Sequence, residues 1–282
     1  MFFNLPSMNF NIQPIHLRKA RSHGFARPRD YRFVLHQPAI AVHLSEVGAL
    51  VPTLPLAFAK LQDDSYLLVA VTGFADGRNL LVDDSGRWGM HYVPNQLCVY
   101  PFSLRPLANQ EASEQALAVC FDHASGLYRE SPNVEIGESY FFDDEGQTQA
   151  LFQEVTEQLR QHMAQQQQTQ RAVTALLQAQ LLAPWRIPGS DARPDSVLPR
   201  GLYCVDEAKL NSLKGDALEA LHHVHALALA HAQLLSTGRV TVLQRLQTAH
   251  ASRNKGPQPP VDPAIVKQMF EPGQPDTIQF NW

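Results

Sequence analysis

Two strand-length apolar runs separated by tight turns, within residues 66–104, restrict the fold of this chain more than any other feature. Residues 66–72 form a β-branched and aliphatic run, and residues 80–82 form a second, shorter one. The segments 75–77 and 83–86 carry the Asp and Gly residues that are typical of turns. The spacing predicts a short β-meander and therefore antiparallel sheet in this part of the chain.

The rest of the chain divides into a sheet half and a helical half. Residues 30–145 are rich in Val, Leu, Phe, Tyr, Gly, Pro and Asp, in short runs that favour antiparallel strands. Over 147–183 the apolar residues recur at i, i+4 spacing, which predicts one long helix or two in series. We predict an α+β fold: a curved antiparallel β-sheet in the N-terminal half, joined by a strand at 202–205, packs against C-terminal helices at 147–183 and 206–250.

Capping residues predict where the later helices begin and end. Asp206 is the expected N-cap of one helix. An acidic capping pair after Gly215 predicts a single helix that runs to Ser236, and Gly238 is placed to end it.

Charges and prolines mark the limits of the folded region. The basic run within 16–32 is interpreted as a solvated entry segment, with an anion-binding arm as the less favoured alternative. We expect residues 1–29 to be an extended basic entry segment and residues 30–250 to be one domain, mainly helical over 147–250. Residues 251–282 contain six prolines and little periodicity, which predicts an extended tail.

Composition excludes several classes of partner. A hydrophobic content of 44% supports a sizeable core. The net charge of −4 argues against a nucleic-acid partner, because duplex binding usually draws on a clustered Lys and Arg surface. No run of about 18 apolar residues, the length needed to cross a bilayer, occurs.

The amino terminus and the cysteines point to a reducing compartment. The first residues lack the uninterrupted apolar stretch of a secretory signal. The three cysteines are widely spaced in apolar surroundings, which disfavours a disulfide framework or a zinc site. We expect a cytoplasmic protein.

No set of residues carries a recognisable reaction. Four histidines on a predicted helix invite a metal hypothesis: His222, His223, His225 and His231. At about 100° per residue they spread around the axis, and only His222 and His225 can share a ligand. Neither a nucleophile turn nor a phosphate-binding loop is present. We therefore assign no catalytic residue, no metal ligand and no cofactor, and the sequence leans away from an enzyme.

The best candidate for a binding surface is a set of aromatic and polar side chains around the predicted hairpin: Asn79, Asp83, Trp88, Tyr92, Tyr100 and Phe102. Aromatic side chains with polar tips suit both protein contacts and the faces of sugars. The alternative is a structural role. Trp88 and Phe102 would then pack under the C-terminal helices, and Tyr92 and Tyr100 would hydrogen-bond through their hydroxyls.

Four short motifs follow one another in a fixed order: Asn79-Leu80-Leu81-Val82-Asp83, Gly86-Arg87-Trp88, Tyr92-Val93-Pro94 and Tyr100-Pro101-Phe102. In this order they resemble the pattern of the SapC-like family of bacterial proteins, and the likeness extends over most of residues 30–250. One departure is that the family usually has a basic pair before its Tyr-Pro-Phe, where this chain has Cys98 and Val99.

The resemblance implies a non-catalytic accessory or binding protein. The family name derives from paracrystalline bacterial surface layers, and members also resemble products of envelope, outer-membrane-receptor and carbohydrate-uptake gene neighbourhoods. A permease role, with which some members are labelled, does not fit a chain without a membrane-spanning run. The expected partner is a protein or a small polar ligand, and a homo-oligomer is left open. The alternatives are an enzyme or oxygenase partner with a His/carboxylate metal site, and a surface-layer structural protein.

Overall fold

A computed structural model describes residues 11–106, 117–187 and 197–254. These residues form antiparallel sheets, mainly in the N-terminal half, and helices that dominate the C-terminal half. The α+β fold predicted from the sequence is thus confirmed. The Pro-rich tail predicted over 251–282 lies, beyond residue 254, outside the described residues.

The largest sheet has five strands: β3 (Ala39–Ala41), β4 (Leu56–Lys60), β5 (Tyr66–Val71), β10 (Leu182–Pro184) and β11 (Leu202–Val205). Its order is β10-β11-β4-β5-β3, and every neighbouring pair is antiparallel. Nearly all side chains of β4 and β5 are buried, which explains their almost unbroken apolar sequences. The strands predicted at 66–72 and 202–205 are both present.

The second run of the predicted meander is not a strand. Residues 80–81 form a turn, and Val82 makes one isolated antiparallel bridge with Trp88 across the tight turn between them. The Asp83 carboxylate accepts hydrogen bonds from the backbone N–H groups of Ser85 and Arg87. These bonds stabilise a tight turn, and no longer β-ladder forms between residues 80–82 and 88.

Two three-stranded sheets complete the β structure: β1 (Ile12–Pro14), β6 (Phe102–Pro106) and β7 (Leu117–Asp122) in the first, and β2 (Gly24–Phe25), β8 (Tyr128–Arg129) and β9 (Ser139–Tyr140) in the second. Their orders are β1-β7-β6 and β8-β2-β9. The single curved sheet predicted for the N-terminal half is therefore three separate sheets, and the largest of them includes β10 and β11 from the C-terminal half.

The predicted entry segment takes part in two of these sheets. Although residues 1–29 were expected to be extended and solvated, β1 pairs with β7, and β2 lies between β8 and β9. The backbone of the segment thus covers edges that would otherwise expose unpaired hydrogen-bonding groups. Its basic side chains remain on the outside, which is why the composition resembles that of a solvated arm.

The helices are α1 (Leu17–Ala20), α2 (Val47–Leu50), α3 (Asn95–Cys98), α4 (Ala150–Gln178), α5 (Glu207–Ser212), α6 (Asp216–His223), α7 (Ala226–Ser236) and α8 (Val240–Asn254). The periodic region over 147–183 forms one continuous helix, α4. The Asp206 carboxylate accepts from Lys209 N and caps α5 as predicted.

The single helix predicted up to Ser236 is wrong in one respect. His225, with φ +61°, breaks it into α6 and α7. The end of the helix at Ser236 is as predicted, and Gly238 lies in the 3-10 turn between α7 and α8. The described residues up to Leu246 belong to one compact unit, and the remaining residues of α8 belong to a second.

Two hydrophobic clusters make up the core of the first unit. The larger one packs the five-stranded sheet against α7 and the C-terminal part of α4. The smaller one is rich in phenylalanine and contains Phe25, Phe102, Phe121, Phe141 and Phe152. At 29 residues, or about 43 Å, α4 is long enough to contribute to both clusters. Clefts open where the two clusters adjoin.

Candidate functional site

The six predicted site residues do not form one surface. Asn79 is fully buried, where its Oδ1 accepts from Leu81 N at 3.0 Å and its Nδ2 has no hydrogen-bond partner among the described residues. Asp83 stabilises the turn beside it by accepting from Ser85 Oγ at 2.6 Å and Arg87 N at 3.0 Å. The hydrogen bonds from Ser85 and Arg87 lower the pKa of Asp83. Both residues therefore have structural roles in the loop over residues 79–88.

Trp88 and Tyr92 also face inward. Trp88 is 7% exposed and donates from Nε1 to the carbonyl oxygen of Tyr92 at 2.8 Å. The Tyr92 hydroxyl donates to Oε1 of Glu46 at 3.0 Å. Burial, together with the nearby Glu46 carboxylate, raises the pKa of Tyr92. This pair matches the structural alternative that the sequence left open.

The acceptor for Tyr92 is the most deeply buried carboxylate of the described chain. Glu46 is 2% exposed, and it also accepts from His43 N and Asn95 N, both at 2.8 Å. Burial raises the pKa of Glu46, but the interactions with His43, Asn95 and Tyr92 outweigh it, so the pKa is lowered. The side chain is therefore held as a carboxylate that ties the loop containing Tyr92 to the segment before α2.

Two histidines continue this network toward α4. His43 Nδ1 lies 3.2 Å from Glu46 Oε2, an ion-pair distance without the angle of a hydrogen bond. Its ring meets that of His162 edge to face, with centroids 4.3 Å apart. Burial and the neighbouring His43 lower the pKa of His162 to about 4, so His162 is neutral near pH 7. His162 also borders a cleft, so the network reaches its wall.

Histidine, cysteine and carboxylate side chains are the groups that could bind a metal ion. Across residues 11–106, 117–187 and 197–254, no group of three or more His, Cys, Asp or Glu side chains has an arrangement that could hold a metal ion. His222 and His223 lie at the end of α6, and His231 is exposed on α7. The break at His225 separates the helices that carry these histidines.

Tyr100 is the predicted site residue that lines three clefts. Its ring stacks on that of Phe33, with centroids 4.1 Å apart and planes 10° from parallel. Both rings line three clefts of about 310, 360 and 960 Å³. The Tyr100 hydroxyl lies 3.4 Å from Oδ2 of Asp122, a long hydrogen bond. Burial and the Asp122 carboxylate raise the pKa of Tyr100 to about 12, so the hydroxyl keeps its proton.

Phe102 supports Tyr100 from the core. It is 7% exposed and packs edge to face on Phe25 and Phe121 within the smaller cluster, while it borders the 310 and 360 Å³ clefts. The peptide bond between Tyr100 and Pro101 is cis. The Tyr-Pro-Phe motif therefore lies where the clefts meet, with one aromatic ring in the core and the other on their walls.

Several residues of this region were not predicted as site residues. Phe33 and Asp122 line clefts, and Glu46, His43 and His162 form the buried network. None of them lies in the motif-rich segment over 79–102. The one available signal was the basic run, since Arg27, Arg29 and Arg32 border the largest cleft.

Comparison with known proteins agrees with the motifs. The family model described as SapC matches residues 19–243. The chain belongs to the SapC family. The match includes both core clusters and the residues around Tyr100. No curated protein and no solved structure matches the chain. Within the described residues, no helix combines the length and the apolar character required to cross a membrane.

Proposed function

We propose that this SapC family member is a non-catalytic accessory or binding protein that holds a small polar ligand in the clefts around Tyr100. The setting we propose is a cytoplasmic step linked to the cell envelope or to nutrient uptake, which the family resemblance supports. The observation that supports this proposal most directly is that the stacked Phe33 and Tyr100 rings line all three clefts.

The dimensions and chemistry of the clefts favour a small ligand. Binding sites for small molecules are typically concave, about 300–1,000 Å³, and combine apolar walls with a few placed polar groups. The clefts around Tyr100 fall within this range and offer the Tyr100 hydroxyl and the Asp122 carboxylate beside the two rings. A protein partner would instead need a surface of roughly 800 Å² on each side.

The other predicted residues would act as support for this site. Asn79, Asp83 and Trp88 stabilise the loop over residues 79–92, and Tyr92 links this loop to Glu46 in the segment before α2. Such a network restricts the motion of the loop that ends at Tyr100, so less conformational entropy is lost when a ligand binds.

The test is native mass spectrometry of the protein purified from its natural host under conditions that retain small ligands. We expect a copurified small molecule with the wild-type chain and its loss from Tyr100→Ala. Tyr140→Ala is the matched control, because Tyr140 is partly buried on β9 and borders none of the three clefts.

Thermal unfolding of both variants separates lost binding from lost folding. A folded Tyr100→Ala that keeps the ligand would overturn the proposal. So would a wild-type protein that carries no small molecule and binds none from a host metabolite extract.

A further inference from the structure

We infer that the largest cleft beside Tyr100 takes the carboxylate group of a small monoanionic ligand with a flat apolar body, and that Arg29 binds this group. This inference deepens the proposed function and rests on it, because it names the chemical class of the ligand. The site lies within the first compact unit, between the loop over residues 26–33 and the segments that follow β7.

The charges around the 960 Å³ cleft are unevenly paired. Four arginines and three carboxylates line it: Arg27, Arg29, Arg32, Arg129, Asp30, Asp122 and Glu138. Three of the four arginines have a carboxylate partner within 4.0 Å, which is Glu154 for Arg27, Asp30 for Arg32 and Glu138 for Arg129. Arg29 is the fourth, and a single guanidinium charge matches a monoanion better than a dianion such as a phosphate monoester, which would leave a negative charge unbalanced.

The three carboxylates already have partners. Asp30 pairs with Arg32 at 3.1 Å. Glu138 pairs with Arg129 and accepts from Asn133 N at 2.9 Å. These carboxylates are therefore engaged and do not need a cation from a ligand.

Asp122 is likewise satisfied at the floor of the cleft. Its Oδ1 accepts from Asn11 N and Ala124 N, both at 3.0 Å, and its Oδ2 faces the Tyr100 hydroxyl. A ligand carboxylate is accordingly directed away from Asp122 and toward an arginine of the cleft, since like charges repel.

Arg29 is the arginine best placed to receive that group. Among the described residues it makes no side-chain hydrogen bond and no ion pair within 4.0 Å, whereas Arg27 lies 3.7 Å from Glu154. The hydrogen bond from Asn133 and the pairing with Arg129 lower the pKa of Glu138, and the charge of Arg29 adds a smaller contribution in the same direction. A guanidinium binds a carboxylate through two parallel hydrogen bonds.

The same cleft also has apolar lining residues: Phe33, Tyr100, Leu127 and Ile136. Arg27 and Arg29 also border the 360 Å³ cleft, which Phe33 and Tyr100 line as well. A ligand that places its carboxylate on Arg29 would therefore rest its remaining atoms near the two aromatic rings, where flat apolar groups pack well.

The experiment compares benzoate with benzamide, which share shape and differ in charge. Each probe is titrated into the ¹⁵N-labelled full chain, and affinity and location are read from amide chemical shifts. We expect benzoate to bind about tenfold more tightly than benzamide, from one charge-assisted interaction. Arg29→Gln should reduce benzoate affinity to the level of benzamide. Arg18→Gln, which removes the same charge from exposed α1 outside the clefts, should leave it unchanged.

Three results would overturn the inference: equal affinity for both probes, equal weakening by Arg18→Gln and Arg29→Gln, or shifts located away from the cleft. Failure of benzoate to bind at ~10 mM, a concentration that detects even weak complexes, would also overturn it. The proposed function is judged separately. If both probes bind equally in the cleft and Tyr100→Ala abolishes both, the ligand site stands and only its preference for an anion is wrong.

Discussion

Replacing Glu46 with Gln removes a single charge while keeping the shape of the side chain, and it should be strongly destabilising. The carboxylate accepts from His43 N, Tyr92 Oη and Asn95 N within a site where Glu46 is 2% exposed. An amide has one acceptor oxygen. If that oxygen keeps Tyr92 and Asn95, the amide NH₂ faces the backbone N–H of His43, and two donors oppose each other.

The magnitude follows from those contacts. Losing one hydrogen bond to a charged group costs about 1.5–3 kcal/mol, and a buried donor left unsatisfied costs about 1–3 kcal/mol. Because the two contributions overlap, we expect the free energy of unfolding to fall by about 3 kcal/mol. Urea unfolding at pH 7, followed by tryptophan fluorescence, measures it. Glu157→Gln is the control, because Glu157 is exposed on α4 and its ion pair with Arg160, at 3.7 Å, is a surface pair that contributes little stability.

The pH dependence gives a second, independent test. The folded-state pKa of Glu46 is lowered, so its stabilisation is present above the unfolded-state pKa of about 4.3 and is lost as pH falls through the folded-state pKa. The gap in stability between wild type and Glu46→Gln should stay constant from neutral pH down to about pH 5 and then narrow. A cost below about 1 kcal/mol at pH 7, or a gap that widens in acid, would refute this account of the network.

Two further substitutions test the core and the sheet. Trp88→Ala should lower the free energy of unfolding by about 3–5 kcal/mol in a urea titration, because the side chain is 7% exposed and hydrogen-bonded to Tyr92. A near-neutral result would mean that Trp88 does not belong to the core. Gly24→Ala should lower the free energy of unfolding by at least about 1–3 kcal/mol, since the new Cβ would overlap the carbonyl oxygen of Ser139 on the paired strand. Gly48→Ala is the control in the same assay, because its new Cβ would meet open space and the change should be neutral or stabilising.

Local sequence signals predicted the elements more successfully than their limits. The apolar run at 66–72 and the i, i+4 spacing over 147–183 correspond to β5 and α4, because strand and helix periods are set by neighbouring residues. The break at His225 was missed, since its positive φ has no sequence signal as clear as a glycine. The ordered motifs over 79–102 identified the family correctly.

The candidate site was only partly accessible from sequence. Tyr100 was named because it belongs to a motif, but its stacking partner Phe33 is far away in sequence and has no motif of its own. Trp88 and Tyr92 were named with it and turned out to face the core. An aromatic residue can line a cleft or pack in the core, so the residue type alone cannot separate the two roles.

By itself, the sequence determined the α+β class, the family and the positions of the longest elements, because hydrophobic periodicity and turn residues act over a few neighbours. Only the tertiary structure decided that residues 11–29 complete two sheets, that Glu46 sits between Tyr92 and His43, and that arginines from the basic run border the cleft beside Tyr100. These arrangements depend on which distant segments pair and pack together, and that outcome is fixed by the free energy of the whole fold rather than by local preference.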